Sequence, residues 1–175
     1  MKAKIINLLG SPGVGKSTIA ARVYSELKSK GAHAELVTEF IKDRIWEGNK
    51  AALDNQLYIF ASQYYRLTRV ATQVDFIVCD GPLITEPLYN NYPEPMRSHL
   101  NTLVEDVVNQ FDNMNYLIKR SVDYEIRGRL HSQEESDQKF TELQTFLIDK
   151  KVSYKMIPGG DLGWQVIMND LKEWL

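Results

Sequence analysis

The chain has 175 residues, 43% apolar and 25% charged, which excludes a disordered tail and leaves enough core to fold without disulfides or a structural metal. Cys79 is the single cysteine; it forms no intrachain disulfide and suits a buried thiol in a reducing cytoplasm. With 21 basic and 23 acidic residues the formal net charge is -2, so no global positive field recruits nucleic acid, and any anion must be met by a local cluster.

Short β-like runs alternate with longer segments of helical period, the pattern of βαβ units around a parallel sheet in a single domain spanning 1–175. The first strand covers 4–9. Asn7 interrupts its apolar run, which is too short for a signal-peptide core or a membrane span, so a cytoplasmic protein with no membrane partner is expected. A glycine-rich turn and an amphipathic helix over about 16–30 follow, with Gly31 as its stop. The second strand is 34–37, and 38–49 is polar and mixed. Leu53, Leu57, Phe60, Tyr64, Leu67 and Ala71 then recur at 3.6-residue spacing and predict one long helix over 51–72. The third strand is 75–79, followed by a loop over 82–95 rich in proline, tyrosine and asparagine and a helix over about 96–111. Strands at 114–118 and 152–157, with helices over 133–149 and 162–174, complete the pattern.

The turn after the first strand reads Gly10-Ser11-Pro12-Gly13-Val14-Gly15-Lys16-Ser17 and leads into Thr18. This fits the eight-residue phosphate-binding loop in its required place between a strand and a helix. The glycines let backbone N–H groups converge into an anion nest that the helix N-terminus reinforces. Lys16 reaches the β- and γ-phosphates of a nucleoside triphosphate such as ATP, and the Ser17 hydroxyl is a ligand type suited to Mg²⁺. The third strand ends in Asp80, placed to share the metal shell or to open the turn Asp80-Gly81-Pro82.

Other candidates lie at the carboxyl edge of the sheet, where ligands of open α/β folds gather. Glu39 directly follows the second strand, placed to orient or deprotonate an acceptor hydroxyl or to be a solvated acid in a polar loop. Asp43 and Arg44 stand a turn further on, and Gln63 and Arg66 are the site candidates of the long helix. The basic segment 119–132 has the character of a phosphate-closing lid, in which Arg120, Arg127 and Arg129 neutralise transferred phosphoryl oxygens or pair with Asp123, Glu125, Glu134 and Glu135. Gly159 and Gly160 form a close turn before the last helix that either approaches the adenine or is only a turn.

With this loop, the strand-end Asp80, the basic segment and the final glycine turn, the chain resembles the small P-loop kinases of the nucleoside and nucleotide kinase superfamily. The resemblance implies an α/β P-loop NTPase three-layer sandwich whose five-stranded parallel sheet runs in the order 2-3-1-4-5 with helices on both faces. The strings 36–40 (Leu-Val-Thr-Glu-Phe) and 55–60 (Asn-Gln-Leu-Tyr-Ile-Phe) are similar to a phage-type group related to the ribosylnicotinamide kinase domain of the NAD-biosynthesis regulator. That group includes the 5-hydroxymethyluracil DNA kinases, and the protein would then work in the cytoplasm of a host cell. The resemblance implies ATP held by residues 10–18, Mg²⁺ held by Ser17 and Asp80, Arg120, Arg127 and Arg129 on the transferring phosphate, and Glu39 as the acceptor-side carboxylate. The expected activity is transfer of the γ-phosphoryl group to a nucleoside-like hydroxyl, with the hydroxymethyl group of 5-hydroxymethyluracil in DNA as the favoured acceptor. A DNA acceptor would need a local basic rim, for which Lys119, Arg120, Arg127, Arg129, Lys150 and Lys151 are available. The alternatives are a kinase of a free nucleoside, ribosylnicotinamide or mononucleotide, and a P-loop ATPase or nucleotide-gated binding module.

Overall fold

In the computed structural model, which describes residues 3–120 and 132–175, strands β1 (Lys4–Leu9), β2 (Ala34–Val37), β3 (Phe76–Cys79), β4 (Asp112–Lys119) and β5 (Lys155–Pro158) form one parallel sheet. Its order is β2-β3-β1-β4-β5, as the sequence reading expects. The helices are α1 (Lys16–Ser29), α2 (Phe40–Trp46), α3 (Lys50–Leu53), α4 (Gln56–Thr68), α5 (Met96–Val108), α6 (Gln133–Asp149) and α7 (Asp161–Asp170). No helix among the described residues is long and apolar enough to cross a membrane.

Side chains of successive strand residues point to opposite faces, so a parallel sheet covered on both sides needs apolar residues on both. Ile6 and Leu8 of β1 join Val78, Ile118 and Ile157 beneath α1 and α7. Ile5 joins Val37 and Ile77 beneath α4 and α5. Leu9 and Leu117 meet Leu143 and Leu147 of α6. The exception on β1 is Asn7, which is buried yet donates from Nδ2 to the Oδ1 atoms of Asn113 and Asn115, both at 2.9 Å. It stands opposite Asn115 in the β1–β4 register.

Several boundaries differ from the sequence reading. The segment 51–72 is two helices, because the Asn55 side chain caps α4 by accepting from Tyr58 N and interrupts the continuous period. The polar segment 38–49 contains α2, whose buried anchor is Phe40. The expected loop over 82–95 begins with the 3-10 helix Leu83–Tyr89. Strand β5 starts at Lys155 rather than 152, because Val152 packs beside the α6 cluster before the chain enters the sheet. The last helix stops at Asp170, followed by the 3-10 turn Lys172–Trp174.

Candidate active site

Strand β1 and helix α1 place residues 10–17 at the carboxyl edge of the sheet. The turn between them needs left-handed backbone at Gly13 (φ 80°) and Gly15 (φ 95°), positions that a β-carbon would strain. Val14 is fully buried between them, and Ser11 is 4% exposed. Lys16 folds back over the loop, its Nζ donating to the carbonyl oxygens of Gly10 at 2.9 Å and Ser11 at 3.3 Å. Thr18 follows in the first turn of α1. Gly10, Ser11, Pro12, Gly13, Val14, Gly15, Lys16, Ser17 and Thr18 therefore sit together in one cradle at a helix N-terminus, a geometry that suits an anion.

Asp80 follows β3, the neighbour of β1, and the Ser17 hydroxyl donates to its Oδ2 at 2.7 Å. Asp80 is 4% exposed and its Oδ1 has no hydrogen-bond partner. A buried carboxylate oxygen without a partner is costly unless a cation meets it. A hydroxyl and a carboxylate side by side fit a hard divalent cation of the Mg²⁺ type.

Glu39 links β2 to α2, and Gly81 makes that placement possible. A β-carbon at Gly81 would lie 2.9 Å from the Cα of Glu39, so only glycine lets the two strand ends approach this closely. Gln63, 2% exposed, holds the same turn: its Oε1 accepts from Phe40 N at 2.7 Å and its Nε2 donates to Thr38 O at 3.3 Å. Its amide thus holds the backbone on both sides of Glu39 and also meets the Cys79 thiol. Arg66 donates to the Thr38 hydroxyl and to Asp43, while Arg44 pairs with Glu47 at 2.5 Å. Both guanidinium groups lie over the Phe40 ring at about 5 Å, and Tyr58 meets the ring edge-on. Asp43, Arg44, Gln63 and Arg66 therefore form the bracket that fixes α2 on α4. A cavity of about 650 Å³ opens outside this bracket, lined by Thr38, Phe40, Asp43, Tyr65, Arg66 and Arg69 among others; Glu39 does not line it.

On the opposite side of the cradle, Arg120 at the end of β4 pairs with Asp137 at 2.8 Å and donates to the Ser136 hydroxyl. Ser136 is fully buried; its Oγ donates to Pro12 O at 2.7 Å and lies 3.1 Å from Ser11 Oγ. Helix α6 starts with a capping box in which Ser132 and Glu135 satisfy each other's backbone N–H groups. Arg127 and Arg129 lie outside the described residues, as does the segment 121–131 of the expected lid. Gly159 N donates to Lys119 O at 2.8 Å, which sets the turn beside the end of β4, and Gly160 caps α7.

Three further groups are absent from the sequence reading. Ser136 lacks a motif, and only the contact of α6 with the loop reveals it. Lys42 Nζ donates to Ser17 Oγ at 3.2 Å; its position three residues after Glu39, on the same side of α2, was the available signal. Glu86, in the 3-10 helix after β3, accepts from Gln56 Nε2. Burial, helped by the nearby negative charge of Glu39 and opposed by the Gln56 bond, raises its pKa to about 8.

The fold has solved counterparts. The chain superposes on a NadR protein crystallised in complex with NAD and AMP-PNP, with a TM-score of 0.72 and 14% identity over 98% of this chain and 49% of that one. The chain thus spans about half the length of that protein. It also superposes on a deoxyadenosine kinase from M. mycoides with bound dATP, with a TM-score of 0.60 and 21% identity over 96% of this chain and 98% of that one. No family model matches the chain, and no curated protein matches it by sequence. The observed strand order and these two superpositions establish the three-layer P-loop NTPase fold.

Proposed function

We propose that the protein is an ATP-dependent kinase that transfers the γ-phosphoryl group to a hydroxyl of a nucleoside-like acceptor. The observation that carries this reading is the Lys16–Ser17–Asp80 constellation at the mouth of the loop, with Glu39 held beside it on the adjoining strand end. Two structures of this fold support it, since one is a deoxyadenosine kinase and the other was solved with an ATP analogue. In the proposed reaction the acceptor oxygen forms a bond to the γ-phosphorus while the β–γ bridging bond breaks and ADP leaves. The acceptor proton passes to Glu39. Residues 10–18 hold the phosphates, Lys16 unfolding from its own carbonyls onto them, and Arg120 meets the charge on the transferred group, with Arg127 and Arg129 assigned the same task. Ser17 and Asp80 would hold Mg²⁺, which supplies charge neutralisation at the phosphate oxygens.

Within the nucleoside-like class the acceptor we favour is the hydroxymethyl group of 5-hydroxymethyluracil in DNA, on the strength of the strings at 36–40 and 55–60. Two members of the basic rim suggested for such a substrate already have carboxylate partners, Lys150 in Glu105 at 2.5 Å and Arg120 in Asp137 at 2.8 Å, which a polyanion would have to displace. The test is transfer of label from γ-labelled ATP with Mg²⁺, offered to 5-hydroxymethyluracil DNA, unmodified DNA, free nucleosides including ribosylnicotinamide, mononucleotides, and water alone. Label on one class of acceptor supports the kinase and names its substrate. Label released only as phosphate would overturn it in favour of an ATPase. Lys16→Ala should abolish transfer and leave the denaturation midpoint unchanged, and turnover like that of the wild type would refute the role given to the loop.

A further inference from the structure

We infer that Lys42 is a second phosphate-binding lysine, which reaches the terminal phosphate from the acceptor side of the site. The inference rests on the ATP-site reading above and extends it to a residue outside the loop motif. Lys42 Nζ lies 3.2 Å from Ser17 Oγ, and Ser17 uses its one proton on Asp80 Oδ2 at 2.7 Å. The ammonium therefore completes a chain from helix α2 through the loop to the end of β3, terminating in a carboxylate whose second oxygen is buried and unpartnered. The hydroxyl it now touches is also the proposed Mg²⁺ ligand, so the ammonium yields that oxygen when the cation binds and turns its three donors to the oxygens of the terminal phosphate beside it.

The position is built into the fold. Helix α2 starts directly after Glu39, and its buried anchor Phe40 is fixed at the backbone by Gln63 and on its ring by Arg44, Arg66 and Tyr58. Lys42 stands one turn after Glu39, so the proton-accepting carboxylate and the ammonium share one side of the helix. Lys16 approaches the phosphates from the loop side, where it now bonds the loop carbonyls. Lys42 approaches from the other. In the transfer step it sits where negative charge gathers on the γ-phosphoryl oxygens, between the acceptor and the departing ADP.

The experiment compares equilibrium binding of ATP, ADP and adenosine to the wild type, Lys42→Met and Lys42→Arg, with and without Mg²⁺, alongside the denaturation midpoint of each. A γ-phosphate contact predicts that Lys42→Met lowers the preference for ATP over ADP about tenfold, the effect of one charge-assisted hydrogen bond. Adenosine binding should be unchanged and Lys42→Arg should restore most of the preference. An unaltered ATP-to-ADP ratio, or an equal loss for all three ligands, would overturn the inference. The ratio needs no acceptor, so it decides the role of Lys42 even where the wild type phosphorylates nothing, a result that would instead refute the kinase reading.

Discussion

Gly81→Ala tests how tightly Glu39 is registered to Asp80. The added β-carbon would lie 2.9 Å from Glu39 Cα and 3.1 Å from its Cβ and Cγ, so this backbone must retreat about half an ångström before contact becomes ordinary at 3.4 Å. It has little freedom to do so. Phe40 N is held by Gln63, and Asp80 N is held by Val37 O at 3.0 Å. Overpacking of this kind costs about 1–3 kcal/mol, and a domain of this size loses about 2–4 °C of Tm per kcal/mol. A fall of roughly 2–12 °C is therefore expected. Since a misplacement of about 1 Å can cost about 100-fold in rate, half that displacement should lower kcat about tenfold. The loop itself is untouched, so KM for ATP should hold. Thermal melts and steady-state turnover on the best acceptor check both values, and an alanine variant with wild-type Tm and kcat would refute the close-approach argument.

Ser136→Ala removes the hydroxyl that joins Pro12, Ser11 and Arg120. Orphaning those buried groups should cost about 1–3 kcal/mol in urea denaturation and weaken ATP binding while leaving adenosine binding intact. Glu86 gives a pH signature. Its folded pKa of about 8 lies above the ordinary carboxyl value of 4.5, so the unfolded chain releases this proton first and the group's contribution to stability falls as pH rises between those values, levelling off above about 8. Glu86→Gln should abolish that component, so urea melts from pH 5 to 9 should show the variant gaining on the wild type with rising pH; parallel profiles would contradict the assignment.

The residues of the proposed phosphate side were legible because they are local: the glycines, Lys16 and Ser17 occupy one short run, and Asp80 stands at the end of an unmistakable strand. Those of the proposed acceptor side were not, because their geometry is assembled across the sequence. Gln63 and Arg66 drew notice as polar residues on an aromatic helix, yet their groups are turned onto Thr38, Phe40 and Asp43, 20 or more residues away. Helix α2 escaped because it is one short helix with a single buried residue, too little for a periodic signal. Ser136 and Glu86 have no pattern at all; only full burial marks the serine, and only the neighbouring Gln56 and Glu39 mark the half-buried glutamate.

Asn7 has a role that its burial alone does not convey. A slip of one residue between β1 and β4 would turn apolar side chains to the wrong face, but a slip of two would preserve every facing, and Ile6 and Leu8 are alike enough to tolerate it. The asparagine group is not indifferent: Asn7 finds both Asn113 and Asn115 only in the observed alignment. Two residues amount to about 6.6 Å along a strand. Since β1 leads into the loop 10–17 and β4 into Arg120, such a slip would carry the arginine that far along the loop. Three amides in the middle of the sheet therefore act as a length gauge for the chemistry proposed at its edge.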